Sequence, residues 1–302
     1  MGNDYIVTWV DKRNSTELNK QLKQKIDTAL EELNQSMSVW REDSEISLIN
    51  KAQKGTYPIS EQMRLVLSES IRINQLTHGR FDITVTPLID LWGFGPHSSK
   101  RQQPTQAQIE QAISRIGMEK FSLNNQLLIK KNSELSINLS AIAKGYGVDV
   151  IANTLKNNNI HNFIVDIGGE VTTSGNKLGE PWVVAVEKPY AVGATSVIKL
   201  ELNNLAIATS GDYRNYFTQN GQRFSHIIDP KTGYPANNNI VSTTVIADLC
   251  MTADALATAF MILPIKESLQ LAEIEHIPLM IIEEQFGELM TYQSSAFKQL
   301  QQ

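Results

Sequence analysis

The sequence predicts an α+β protein, antiparallel sheets with helices packed on them, on three observations. Long amphipathic stretches sit near the two ends of the chain, apart from a run of strand-like segments between Trp182 and Ala247. Helices segregated from strands in this way fit α+β better than an alternating β-α-β order. There is also no internal repeat and no low-complexity tract of the kind that marks solenoids or linkers.

The elements follow in order. Tyr5 to Val10 reads as a first strand, and Leu18, Leu22, Ile26, Ala29, Leu30, Leu33 and Met37 then fall on one stripe of a long helix. The polar stretch Ser38–Glu45 carries one exposed-looking aromatic, Trp40. A second helix, about Ser60 to Thr77, groups Met63, Val66, Leu67 and Ile71, with Gly79 as its stop. Residues Gln102 to Gln126, rich in Gln and Asn, read as a mobile linker and a surface helix. Leu135, Ile137 and Leu139 alternate like a strand, Ser140 is a suitable N-cap, and a helix follows until Asn157-Asn158-Asn159. Strands are then expected at Asn162–Ile167, Trp182–Glu187, Thr195–Leu202, Leu205–Thr209, Phe224–Ile228 and Ile240–Ala247. Helices at about Met251–Leu263 and Lys266–Glu275 precede a strand at Leu279–Ile282.

Bulk composition narrows the function classes. A chain of 302 residues with 41% hydrophobic and 20% charged residues is that of an ordinary globular protein, one large domain or two small ones. The net charge of −5, from 27 basic and 32 acidic residues with no basic run, argues against nucleic acid as a partner. The single cysteine, Cys250, excludes an internal disulfide and a cysteine-based zinc cluster. No apolar run approaches the ~18 residues of a membrane span. Met1-Gly2-Asn3-Asp4 leads straight into a strand, so the protein is either cytoplasmic or an exported one trimmed of its targeting segment.

Several stretches carry the residue types that chemistry needs. A strand entering a helix at 137–149 leaves backbone N–H groups for an anion, and Lys144 would add a full positive charge. A tightly packed corner with a solvated lysine remains the alternative. Gly79-Arg80-Phe81-Asp82 and Leu91-Trp92-Gly93-Phe94-Gly95-Pro96 combine glycines with aromatic faces, which suits a stacked ligand or a core loop. Gly168-Gly169 after a buried strand suits a diphosphate lying across it, or a plain hairpin turn. Asp254 and Thr258, four apart on a helix, put a carboxylate and a hydroxyl on one face, and oxygen ligands of this kind favour Mg²⁺. A backbone carbonyl such as that of Ala141 would be an acceptable third oxygen. Of the five histidines, His226 is in suggestive company, with Asp229 three residues on, and could act as a general base. Three partial motifs fail: Ser196 with Lys199 and Lys231-Thr232-Gly233 lies in a strand-like run, Gly145-x-Gly147 has Val150 in the third glycine's place, and no P-loop occurs.

Six blocks occur in order: Gly79-Arg80-Phe81-Asp82-Ile83-Thr84-Val85, Leu139-Ser140-Ala141-Ile142-Ala143-Lys144-Gly145-Tyr146, Asp166-Ile167-Gly168-Gly169-Glu170, Thr209 to Tyr216, Ser225-His226-Ile227-Ile228-Asp229-Pro230, and Ala253-Asp254 through Thr258. From Met1 to about Leu263 the chain thereby resembles the ApbE family, the FAD:protein FMN transferases. The resemblance implies a T-fold-like architecture, a single domain over residues 1–302 with a mobile surface subdomain around 97–130. It implies transfer of the FMN half of FAD to a threonine hydroxyl of a target protein, with AMP released.

By the same resemblance, Mg²⁺ is held by the Ala141 carbonyl, Asp254 and Thr258, with Ala257 contributing. Lys144 neutralises phosphate charge and His226 takes the acceptor's proton. Met1, Trp40, Arg80, Phe81, Asp82, Asn138, Lys144, Gly168, Gly169 and Ile228 match positions at the cofactor. The family's targets include flavoprotein subunits of sodium-pumping NADH:quinone reductase and related electron-transport complexes. Its members are periplasmic and often lipid-anchored, and Met1 matches an internal position, so a signal segment is expected upstream; any membrane association would be through that anchor.

Asn138 stands where the family commonly has Asp, and Trp40 replaces a more usual Tyr. Gly193-Ala194-Thr195 matches the end of the family's acceptor motif, but Pro189 and Val192 argue against self-flavinylation. Two other activities stay open: hydrolysis of FAD to FMN and AMP, and flavin carriage without turnover.

Overall fold

The protein is described from a computed structural model that covers residues 4–13, 15–95, 98, 101–187, 197–212, 215–236 and 238–301. Met1 and the Gly193-Ala194-Thr195 stretch lie outside the described residues. The chain begins with β1 (Tyr5–Trp9), α1 (Thr16–Met37), α2 (Glu45–Lys51), β2 (Gly55–Pro58) and α3 (Glu61–Leu76). Next come α4 (Thr86–Leu91), α5 (Gln106–Arg115), a 3-10 turn, β3 (Phe121–Asn124) and β4 (Leu127–Lys130). Then follow α6 (Ala143–Asn157), β5 (Phe163–Ile167), β6 (Glu170–Ser174), β7 (Trp182–Glu187), β8 (Val197–Leu202) and β9 (Ala206–Gly211). The rest is β10 (Tyr216–Gln219), β11 (Gln222–Ser225), β12 (Ile240–Ala247), α7 (Cys250–Phe260), α8 (Ile265–Ile274), β13 (Leu279–Gln285), β14 (Glu288–Gln293) and α9 (Ser295–Gln299).

These elements form two compact units, residues Met1–Glu32, Lys144–Gly211 and Asn239–Gln302 in one, and Leu33–Ala143 with Asp212–Asn238 in the other. The first unit is built on a seven-stranded sheet among the described residues, in the order β1-β5-β6-β9-β12-β13-β14. Every neighbouring pair is antiparallel, as the α+β reading requires. One apolar cluster joins Leu22 and Ile26 of α1 to Val148, Ile151 and Leu155 of α6 and to Phe163 and Val165 of β5. A second joins β6, β8, β9, β12 and β13 through Val171, Leu200, Leu202, Ile207, Ile246 and Ile282.

Where β5 turns into β6, Gly168 and Gly169 have φ of 61° and 102°, and Ile167 pairs with Glu170. Two consecutive positive φ angles are what a type I′ hairpin requires, so the glycines make the hairpin turn. That turn puts Glu170 at the first position of a buried strand.

The second unit contains the three-stranded sheet β2-β4-β3 and the hairpin β10-β11. Its helices α2, α3 and α5 start on side-chain caps. Ser44 accepts the Ser47 N–H, Ser60 the Met63 N–H, and Thr105 with Gln108 forms a complete capping box. The 102–126 stretch is therefore more than linker and surface helix. Ile109 and Ala112 of α5 are buried in a cluster with Leu88, Trp92, Phe224 and Ile228.

Two local expectations are corrected. Leu135, Ile137 and Leu139 are buried as their alternation suggests, but they form no strand, and α6 begins at Ala143 rather than after Ser140. The Asn138 side chain accepts the Ser140 N–H at 2.9 Å, and the N–H groups of Ile142 and Ala143 turn back to the Leu139 carbonyl. A short polar side chain that bonds its own backbone two residues on competes with helix initiation, and here it wins. The strand expected through Ile228 stops at Ser225, which leaves His226 just beyond it.

α6 and α7 approach each other at Gly145. A Cβ there would lie 2.4 Å from the Cys250 carbonyl oxygen and 2.8 Å from the Asp254 Cβ. Because the first obstacle is backbone, Gly145→Ala must push the helices apart. It is expected to lower the unfolding free energy by about 2 kcal/mol, seen as a lower urea midpoint with an unchanged slope.

Candidate functional site

In the first unit, the helix pair α6–α7 gathers the acidic groups. The Gly145 N–H, in the opening turn of α6, donates to Asp254 Oδ2 at 2.9 Å. This amide at the start of α6 is thus occupied by a carboxylate. Asp149, one turn further along α6, accepts the N–H groups of Cys250 and Met251, each at 2.9 Å. It supplies the N-terminal cap that Leu249, the residue ahead of α7, cannot give.

Lys144 Nζ lies 2.5 Å from Glu170 Oε2 on β6. The contact pairs a buried carboxylate with a cation that is partly exposed. Asp149, Glu170 and Asp254 are all buried, and Lys144 is the cation that acts on both Glu170 and Asp254. Burial raises the carboxyl pKa of each of the three acids, and for Glu170 the Asp254 charge adds to it. Lys144 opposes the rise at Glu170 and Asp254.

The same face of α7 carries Thr258, whose Oγ1 is 3.3 Å from Ser210 Oγ on β9. The Ala257 carbonyl is committed elsewhere, accepting the Thr243 hydroxyl at 2.6 Å and the Met261 N–H at 3.3 Å. Asp254 and Thr258 share one face of α7, and the Ala257 carbonyl beside them already accepts two hydrogen bonds. Among the described residues no three His, Cys, Asp or Glu side chains are arranged to hold a metal ion. What the cluster does offer is oxygen donors and more buried acids than cations, the chemistry that suits a hard divalent ion.

In the second unit, Arg80 and Asp229 form an ion pair at 2.5 Å, both largely buried. Asp229 also organises the turn after it, accepting the Lys231 N–H on Oδ1 at 2.9 Å and the Gly233 N–H on its carbonyl at 2.8 Å. Ile228 bridges to Pro235 across the same turn. Phe81 is buried, with its N–H on Thr77 Oγ1 and its carbonyl on the Asn74 amide, so its ring serves the core and cannot stack on a ligand. Trp92 is likewise core, edge-on to Tyr234 and tilted against Phe224, with its indole N–H on the Gly233 carbonyl. Asp82 Oδ1 accepts both the N–H and the hydroxyl of Thr84, and burial raises its pKa. Trp40 is 70% exposed, a face open to a stacking partner.

His226 is half-buried, edge-on to Phe94 at 6.3 Å between centroids. Its Nδ1 is 3.1 Å from the Asn215 carbonyl oxygen, which also accepts the His226 N–H. A carbonyl only accepts, so Nδ1 carries a proton, and whenever the ring is neutral its lone pair is on Nε2. That tautomer is the one a general base needs.

Sequence reasoning missed Asp149, Glu170 and Asp229 as partners of the expected site residues. Glu170 and Asp229 stood inside the quoted blocks, which was the available signal; Asp149 carried none beyond its place on the central helix.

A solved structure with this fold is the flavin transferase ApbE of Vibrio cholerae, with a TM-score of 0.91 and 40% identity over 99% of this chain and 96% of that one. The apo flavinyl transferase ApbE of Pseudomonas stutzeri gives 0.90 at 31% identity, over 98% and 92% of the two chains. The fold is thus that of the flavin transferases. The chain belongs to the ApbE family, whose model matches residues 1–281. A curated relative, the FAD:protein FMN transferase of Vibrio cholerae, is 43% identical over 99% of this chain and 90% of its own length.

The Asp149 cap has a pH signature. Burial pushes this carboxyl up to about 6 against the two N–H groups that favour its charged form. A carboxyl raised on folding binds its proton more tightly in the folded state. Its contribution to stability is therefore fully present at acid pH and declines as pH rises from the ordinary aspartate value of ~4 to ~6. Relative to Asp149→Asn, the native protein is expected to lose about 3 kcal/mol across that window and stay level above it. Urea unfolding of both proteins from pH 4 to 7 reads the difference.

Proposed function

We propose that this chain transfers the FMN half of FAD to a threonine hydroxyl of a target protein, releasing AMP, in a magnesium-dependent reaction. The observation that carries the reading is similarity over almost the whole chain, at 43% identity, to a protein named FAD:protein FMN transferase. The chemistry is phosphoryl transfer: a threonine O–P bond forms at the FMN phosphorus, the diphosphate bridge breaks, and AMP leaves. Positioning and charge stabilisation dominate such reactions.

The tautomer of His226 supports its role as base, with Nε2 taking the proton of the incoming hydroxyl. Lys144, held by Glu170, offers positive charge to the phosphates. Asp254 and Thr258 supply oxygens to magnesium, with the Ala141 carbonyl carried over from the resemblance. The bound ion would neutralise charge on the linked phosphates. Arg80, Asp82, Asn138 and Ile228 belong to segments assigned to FAD by the resemblance, and Trp40 offers a stacking face. The proposed acceptors are flavoprotein subunits of sodium-pumping NADH:quinone reductase or related complexes. The proposed setting is periplasmic, through a lipid-anchored form; both rest on the resemblance.

The test is incubation with FAD, Mg²⁺ and a purified acceptor subunit. Flavin fluorescence on the denatured acceptor together with free AMP is the expected result. Free FMN would indicate a pyrophosphatase, and intact bound FAD a carrier. His226→Ala is expected to slow transfer by about a hundredfold or more while FAD still binds, as titration of flavin fluorescence would report. Asp254→Ala is expected to lose Mg²⁺-dependent turnover; full activity in that variant would refute the metal assignment.

A further inference from the structure

Ile137, Asn138 and Leu139 are buried and outside any sheet, so their backbone groups need partners from elsewhere. Asn50, near the end of α2, supplies them. Its Nδ2 donates to the Ile137 carbonyl at 2.8 Å, and its Oδ1 accepts the Ile137 N–H at 2.8 Å. One amide thus does for Ile137 what a neighbouring strand would do, with one donor and one acceptor at matching spacing.

Asn50 is itself held. The side chain of Lys130 is buried, and its ammonium donates to the carbonyls of Ile49, Asn50 and Ala52 at 2.9, 2.9 and 2.8 Å. These are carbonyls at the end of α2, where a cation is favoured and helix-internal donors run out. The chain of fixation runs onward from Ile137. The Asn138 N–H donates to the Ile83 carbonyl at 2.7 Å, tying the corner to the Gly79–Val85 block. Asn138 Oδ1 then sets the turn through Ser140.

We infer that Asn50, fixed by Lys130, is a positioning residue for FAD: its amide sets the backbone that presents Asn138 and joins it to the segment bearing Arg80 and Asp82. The inference rests on the proposed function, in which Asn138, Arg80 and Asp82 meet the cofactor. Asn50 does not itself touch FAD. It acts by fixing the Ile137 peptide through two bonds, and a residue with only half of the amide keeps only one of them.

The experiment compares the native chain with Asn50→Ala, Asn50→Asp and a stability control, Val66→Ala, which removes buried methyl groups from α3. Each is titrated with FAD by flavin fluorescence and melted without it. Asn50→Ala is expected to weaken FAD binding about tenfold or more, the worth of one to two lost hydrogen bonds. Asn50→Asp, which still accepts from Ile137 but cannot donate, is expected to fall between, and it remains readable if the alanine variant fails to fold. Val66→Ala is expected to lower the melting temperature and leave FAD affinity within about twofold, below the effect of a single hydrogen bond. Unchanged affinity in both Asn50 variants, or equal weakening in the Val66 control, would overturn the inference. Absence of FAD binding by the native chain would instead count against the proposed function.

Discussion

The first unit depends on the close approach of α6 and α7 at Gly145. There is no room for a side chain between its Cα and the Cys250 carbonyl. That proximity lets the Gly145 N–H reach Asp254 and lets the Asp149 carboxylate reach the first N–H groups of α7. Each helix thus satisfies open donors of the other, and the angular setting of α7 follows. Asp254 and Thr258 face where they do because Asp149 and Gly145 hold the start of their helix.

The energetic consequence is an accumulation of buried acids. Asp149 is balanced by two backbone donors, whereas Glu170 and Asp254 share the influence of Lys144. Burial disfavours the charged form of all three. A site of this kind is held together by the fold rather than by its own electrostatics, and a cation entering it would relieve a cost already present. The Ala257 carbonyl ties α7 to β12 through the Thr243 hydroxyl.

The second unit uses the same logic with neutral and ion-paired groups. Asp229 joins Arg80 to the turn that follows His226 and Ile228, while Asn50 joins α2 to the corner carrying Asn138. In both cases a short side chain takes the place of regular secondary structure. Irregular backbone can then carry polar groups in a buried setting without leaving them unpaired. His226 follows the pattern, its ring Nδ1 set against the Asn215 carbonyl.

Much of this protein was legible before any coordinates. Trp182–Glu187 and Ile240–Ala247 are strands with the expected bounds, and the stripe from Leu18 to Met37 is one helix. Local periodicity determined these elements, because burial on one face leaves a repeat in the sequence. The ordered blocks likewise pointed to the ApbE family, and the family model matches. Only the tertiary structure decided which charges meet. Asp149 and Cys250 are 101 residues apart and Asn50 and Ile137 are 87 apart, so no local pattern records either pairing. It also decided that Leu135, Ile137 and Leu139, which alternate like a strand, are held by one amide and not by a ladder. Alternation reports which side chains are buried, while the partner of the backbone depends on what the rest of the chain brings alongside.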